Sequence, residues 1–133
     1  MPVDIVDHTA DIRLRVHSRS FPLALLELSN YMLGIIFKGD VECTNIIQSS
    51  VEFTDKESCV VRFLSDVLYY LDSRNIAMKV RYLKIERGLI RWEACSEKFD
   101  YSKHEMGYVI KGATYDRISI DKKNNIIEIT LDI

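Results

Sequence analysis

The chain lacks a basic excess: Lys and Arg total 18 against 20 Asp and Glu, a formal net charge of -2. Domains whose main task is gripping phosphates carry one. Strong unaided nucleic-acid binding is therefore not expected; contact with RNA as part of a complex is compatible with this charge. Cysteine is scarce and odd in number, Cys43, Cys59 and Cys95, with no Cys-x-x-Cys pair. That removes support for a zinc site or a dithiol redox motif. The expectation is three buried small hydrophobes in a reducing compartment. Prolines are limited to Pro2 and Pro22, and the five glycines are scattered. Without a linker, repeat or low-complexity tract, residues 1–133 read as a single domain. No apolar run approaches the roughly 20 residues of a membrane helix. The start, Met1-Pro-Val-Asp-Ile-Val-Asp-His8, lacks the basic and apolar segments of a signal peptide. A cytoplasmic protein without membrane attachment is expected. There is no P-loop, G-x-G-x-x-G or G-x-S-x-G, so a nucleotide site and a local hydrolase signature find no support.

What is present suits a folded domain. Hydrophobic residues make up 47% and charged residues 29% of the chain, an ordinary globular balance. A chain of this length buries roughly two-thirds of the surface its unfolded form exposes, enough to fold without disulfides or a structural metal.

The periodicity changes along the chain. Val3 to Val6 suits a strand, Asp7 to Asp11 a polar turn, and Ile12-Arg-Leu-Arg-Val16 a half-buried strand by alternation. Ser20 and Pro22 open a helix. Its stripe is Phe21, Leu25, Leu28, Met32 and Ile35, ending near Gly34. Val41 to Phe53 is one long strand or two short ones. Thr54-Asp-Lys-Glu57 fits a capping box, followed by a helix with Val60, Leu64, Val67, Leu68 and Leu71 inward and Tyr69, Tyr70 and Asp72 off the stripe. Beyond residue 76 the period is two. Met78, Val80 and Tyr82 alternate with Lys79, Arg81 and Leu83. Glu86-Arg-Gly88 makes a hairpin turn into Leu89 to Cys95. Tyr108 to Ile120 is extended, and Asn124-Asn125 turns into a last strand, Ile126 to Asp132. The order β-β-α-β-α-β-β-β-β predicts an α/β (α+β) two-layer sandwich: a mixed, mostly antiparallel sheet with two helices on one face.

Three places hold polar residues that such a fold does not require. Asp7-His8-Thr9-Ala10-Asp11 lies between two strands, where Asp and Thr side chains also suit a turn bonding nearby amides. Leu131-Asp132-Ile133 closes the sequence, putting an Asp side chain beside an α-carboxylate, both ionised at neutral pH; taken alone, a solvated terminus is the better account of it. If Asp11 joined them, each like-charge pair at about 4 Å would cost roughly 4 kcal/mol at an effective dielectric of 20. A bound cation relieves that, and an all-oxygen donor set suits Ca²⁺, Mg²⁺ or Mn²⁺ rather than zinc. Lys111-Gly-Ala-Thr-Tyr115 lies within an extended stretch. Alternation puts Lys111, Ala113 and Tyr115 on one face, and a strand glycine often marks a close approach; a plain strand with a solvent-facing lysine fits too. His104, in the polar loop after Ser96-Glu97, is a candidate ligand or proton carrier, although a lone loop histidine is more often neither. Lys79, Arg81 and Arg91 make a small basic stripe of the kind usually solvated.

Taken together these places resemble the archease family. The resemblance rests on Asp7-His-Thr-Ala-Asp11, on Phe63-Leu-Ser-Asp-Val-Leu-Tyr-Tyr-Leu-Asp72, on Lys111-Gly-Ala-Thr-Tyr115 and on Leu131-Asp-Ile133, in the family's order over nearly the whole length. The chain departs from the family where glycine usually follows the motif's second Asp by two residues and Arg13 stands here. It departs also at Gly112, Ala113 and Asp116, where Lys-Ala-Val-Thr-Tyr-His is usual, and at Ser96, where Gly-Glu is usual. The resemblance implies a small cytoplasmic protein that is not an enzyme. Its expected role is to activate the RtcB-type RNA ligase of tRNA splicing, promoting guanylylation and multiple turnover, with tRNA met only through the ligase and no small-molecule substrate. It also implies a divalent-cation site (Ca²⁺, Mn²⁺ or Mg²⁺) built from Asp11, Asp132 and the carboxylate of Ile133. Asp7 and His8 would orient these ligands, and Lys111, Tyr115 and His104 are further candidates for support or partner contact. Two alternatives are a chaperone-like modulator of a tRNA or RNA methyltransferase and a metal-dependent hydrolase with His104 as base.

Overall fold

The structure, a computed structural model of the chain, describes residues 3–7 and 11–133. In chain order the elements are β1 (Val3–Asp7), β2 (Asp11–His17), α1 (Phe21–Ile36), β3 (Phe37–Lys38), β4 (Asn45–Glu52), α2 (Lys56–Arg74), β5 (Ile76–Glu86), β6 (Leu89–Lys98), β7 (Glu105–Met106), β8 (Gly112–Asp121) and β9 (Ile126–Asp132). The strands form a four-stranded sheet β1-β2-β9-β8, a three-stranded sheet β4-β6-β5 and a ribbon β3-β7. Every assigned ladder is antiparallel. The fold is α+β, as the pattern predicts, with the strands divided between sheets. Helix α1 lies against β2 and β5, and α2 against β8, β4 and β5, so each helix rests on both larger sheets. Among the described residues no helix is long and apolar enough to cross a membrane.

The helical stripes pack as their spacing requires. Phe21, Leu25, Leu28 and Met32 of α1 and Val60, Leu64, Val67, Leu68 and Leu71 of α2 are buried. They meet Leu14 and Val16 of β2, Ile127, Ile129 and Leu131 of β9, and Ile90, Trp92 and Ala94 of β6 in one core. Ser20 caps α1 by accepting from the Leu23 amide at 3.2 Å. The cap of α2 falls one residue later than the Thr54 start in the sequence reading. Asp55 Oδ1 accepts from Ser58 N at 2.7 Å while Ser58 Oγ accepts from Asp55 N at 3.0 Å. A serine hydroxyl closes the reciprocal box in place of a carboxylate.

Strand β5 is an edge, and an exposed ladder edge invites unwanted pairing. Asn30 of α1 covers part of it: its Nδ2 donates to Val80 O at 2.8 Å and its Oδ1 accepts from Val80 N at 2.9 Å. Just beyond, the register skips at Arg81, because Val80 pairs with Ala94 and Tyr82 with Glu93. This bulge reverses the alternation. Tyr82, expected to lie on the face of Met78 and Val80, is 51% exposed, and Leu83 packs against the core instead. The hairpin turn is as expected, with Arg87 and Gly88 both at positive φ (45° and 75°), as a two-residue turn of this type requires.

Two expectations fail in the second half. Cys43 and Cys95 are joined in a disulfide with Cα atoms 4.7 Å apart, and only Cys59 is a free, buried thiol. The β4–β6 ladder is responsible: it pairs Ile46 with Cys95 and Asn45 with Ser96, bringing the residues before β4 back over β6. Burial pushes the Cys59 thiol up to about 11, so it is inert. The stretch from Tyr108 to Ile120 is also not one strand. Residues 107–111 are a connection pinned to the end of α1, where Gly107 N donates to Ile36 O at 2.7 Å and Tyr108 N to Ile35 O at 2.9 Å. A Cβ on Gly107 would collide with the Ile35 carbonyl oxygen, so glycine is required there.

Candidate functional site

The rows of β2, β9 and β8 build the site. Ile12 and Leu131 alternate with the residues on either side of them, so one face of these strands packs inward and the other is polar. On the polar face Asp11 stands directly opposite Asp132, Arg13 opposite Thr130, and Arg15 opposite Glu128. Strand β8 extends the first two rows with Gly112 and Thr114. Residues directly opposite on antiparallel strands have Cβ atoms about 4.5–5.5 Å apart, so the two aspartates, 121 residues apart in sequence, share the sheet end. Leu131, between Asp132 and Thr130, is fully buried, and Ile133 packs against the core. Both fix the register from inside.

The rows behind the aspartates are tied together. The Arg13 guanidinium donates from Nη1 to Thr130 Oγ1 at 3.1 Å and from Nη2 to Glu128 Oε2 at 3.0 Å. Thr114 Oγ1 donates to Thr130 O at 3.0 Å. Arg15 Nε meets the other Glu128 oxygen at 3.5 Å. Lys111 joins through its backbone, its N–H donating to Asp132 O at 2.7 Å. Its side chain is exposed.

The sequence-selected residues divide accordingly. Asp11, Asp132, Ile133 and Lys111 come together. Asp7 lies opposite Arg13 in the β1–β2 register, and His8 falls outside the described residues. Lys111 precedes β8 rather than lying within it. A Cβ on Gly112 would meet nothing within 4 Å, so the expected close approach is absent there. Tyr115 is 54% exposed at the start of a wide irregularity, where the ladder jumps from Thr114–Thr130 to Ser119–Glu128. It therefore does not continue the face of Ala113.

His104 belongs elsewhere. It is 1% exposed. Its Nδ1 accepts from the Asp100 amide at 3.1 Å, so the ring proton sits on Nε2, which faces Asp40 O at 3.0 Å and Glu97 Oε2 at 3.2 Å. Both nitrogens are occupied, which leaves no lone pair for a metal or for taking a proton. Lys103 and the Glu42 amide hold the Glu97 carboxyl below the usual carboxylate range. This cluster ties the residues before β4 to the loop after β6. Sequence reasoning missed that structural role because its partners, Asp40 and Glu97, lie far apart in the chain.

Among the described residues no three His, Cys, Asp or Glu side chains converge as a metal cluster. The acidic end offers the two carboxylate side chains of Asp11 and Asp132, with Ile133 next in sequence. This oxygen-only set suits a hard divalent cation. The nearest guanidinium on the same face, that of Arg13, bonds away from the pair. The residues present thus fit the group that the sequence resemblance implies.

The profile of the archease protein family matches residues 4–133. The chain is 28% identical over 135 residues to protein archease of Sulfurisphaera tokodaii, covering 98% of this chain and 97% of that one. It is 31% identical over 124 residues to protein archease of Thermococcus gammatolerans, covering 87% and 85%. The fold superposes on the solution structure of Methanobacterium thermoautotrophicum protein 1598 with a TM-score of 0.77 at 17% identity, covering 99% of both chains. It matches the crystal structure of a Thermotoga maritima archease, described as a possible chaperone, with a TM-score of 0.60 at 17% identity, covering 97% and 94%.

Proposed function

The chain belongs to the archease family, and from that premise we propose that it is a non-catalytic activator of the RtcB-type RNA ligase. In this reading it promotes guanylylation and repeated turnover of the ligase in tRNA splicing. Asp11, Asp132 and the carboxylate of Ile133 would hold a divalent cation at the docking edge, which would offset the charge of the facing carboxylates and supply a positive centre for acidic or phosphate groups of the partner. Lys111, exposed beside Asp132, adds a mobile point charge to the same edge. The supporting observation is the register that sets Asp11 directly against Asp132, with Ile133 next in sequence.

A catalytic site needs a concave pocket with convergent polar groups, and a sheet end fits an interaction surface better. The hydrolase alternative also loses its base, since both His104 nitrogens are engaged.

The test is multiple-turnover ligation by the ligase of the same organism with this protein at substoichiometric amounts. A second arm uses a chain extended by two C-terminal residues, which moves the terminal carboxylate. Stimulation by the native chain alone is the expected result. Stimulation by both keeps the role and removes Ile133 from the site. Stimulation by neither overturns the reading in favour of the methyltransferase-modulator alternative.

A further inference from the structure

A guanidinium placed beside two carboxylates ordinarily pairs with them, because forked donors match carboxylate geometry and charge-assisted bonds are strong. Arg13 has that opportunity. It lies two residues from Asp11 on the same face of β2 and is the diagonal neighbour of Asp132 across the ladder, a separation that long side chains bridge. It points the other way. Its two terminal nitrogens bond Thr130 Oγ1 at 3.1 Å and Glu128 Oε2 at 3.0 Å, and its side chain is only 12% exposed. Glu128 faces Arg15 as well, at 3.5 Å. One carboxylate therefore holds two guanidinium groups behind the acidic pair.

We propose that Glu128 is a positioning residue for the cation site: it draws Arg13 along the sheet and so keeps Asp11 and Asp132 open to a divalent cation. This deepens the metal reading given above and rests on it. Without the Glu128 charge, the neutral Thr130 hydroxyl is the one acceptor that Arg13 retains among the described side chains, and two carboxylates two residues away become the stronger attraction. Bound there, the guanidinium becomes an internal competitor of the cation. Thr130, 1% exposed and bonded through its carbonyl to Thr114, orients the fork but carries no charge.

Calorimetric titration of the full chain with Ca²⁺ and with Mn²⁺ tests this, using the native protein, Glu128→Gln, Arg13→Ala and the double variant. Glu128→Gln is expected to weaken binding about tenfold, equivalent to the ~1.4 kcal/mol of one charge-assisted hydrogen bond. Arg13→Ala should bind at least as tightly as the native chain, and adding Glu128→Gln to it should change little. Thermal midpoints recorded for all four proteins separate loss of fold from loss of affinity. An unchanged affinity in Glu128→Gln overturns the proposal. So does an equal weakening in the Arg13→Ala background, since that is the field of a lost charge and not the release of a competitor.

If the native chain binds neither cation, the metal reading fails, and a cation-free measurement decides the tether. The Arg13 side-chain Nε resonance should respond to Asp132→Asn in the Glu128→Gln background and stay unmoved in the native one. A response in the native background overturns it.

Discussion

Replacing Asp11 by asparagine keeps the shape of the side chain and removes one of two like charges that face each other across the β2–β9 ladder. Two unit charges about 4 Å apart repel by roughly 1 kcal/mol in bulk water and roughly 4 kcal/mol at an effective dielectric of 20. Asp132 is exposed and Asp11 partly so, which places the pair near the lower figure with further loss to salt screening. In chelator at low ionic strength, Asp11→Asn is therefore expected to gain about 0.5–1 kcal/mol of stability, whereas surface changes usually destabilise slightly or do nothing. A cation at a hundred times its dissociation constant should stabilise the native chain by about 2.7 kcal/mol. It should do much less for a variant lacking one ligand. The order of the two proteins thus inverts on adding Ca²⁺. Urea denaturation with matched slopes measures both arms. A variant less stable than the native chain in chelator would mean that Asp11 makes a stabilising contact instead of a repulsive one. An order that fails to invert would remove the cation.

Other perturbations read other parts of the fold. Asn30→Ala strips both partners from the buried Val80 backbone. Each unpaired group costs about 1–3 kcal/mol, so a loss of about 2–6 kcal/mol is expected in chemical denaturation, and a loss below about 0.5 kcal/mol refutes the edge-covering role. Reducing the Cys43–Cys95 bond, which spans 52 residues, should lower stability by about 2–4 kcal/mol on the loop-closure argument and leave Cys43→Ser insensitive to thiol. The fold should survive, because Thr44, Glu42 and Asp40 keep their bonds to Ser96, Glu97 and His104. Asp55, Glu97 and Asp100 are all held below their ordinary values, by Ser58, Lys103 and Ser102 respectively. An unfolded chain then binds more protons, so their stabilisation is present above the ordinary values of 3.8 and 4.5 and lost as pH falls through the folded ones. Thermal midpoints should decline across that range, and less steeply in Glu97→Gln.

What the sequence could reveal depended on how local each signal was. Both helical stripes and the Arg87-Gly88 turn are written within a few residues of one another, and all three appear where the periodicity puts them. The Tyr82 face was misjudged because a bulge is set by the partner strand, and no residue near Arg81 announces it. The Cys43–Cys95 bond was missed for a related reason: two cysteines 52 residues apart become neighbours only through the β4–β6 ladder. His104 looked like a loose loop residue because the groups that occupy its nitrogens, Asp100, Asp40 and Glu97, are assembled by the fold. From the residues alone the acidic end was legible as separate polar places, and it was the archease resemblance that joined Asp11 to Asp132 and Ile133. The register that puts Asp11 against Asp132 is a long-range pairing that single-strand alternation does not specify.

That same pairing makes the acidic end hard to lose without losing the sheet. Side chains alternate with a period of two, so a slip of one residue moves every side chain of a strand to the other face. Slipping β9 by one would bring Leu131, Ile129 and Ile127, all fully buried, to the polar surface and drive Asp132 and Glu128 into the core. Each of the three apolar side chains contributes about 1.5–3 kcal/mol by burial, comparable in sum to the whole stability of a small domain, about 5–15 kcal/mol. The core residues thus enforce the facing of Asp11 and Asp132 despite its electrostatic cost. Single substitutions at Leu131 or Ile129 should accordingly loosen the acidic end as well as the core, although neither side chain touches a carboxylate row.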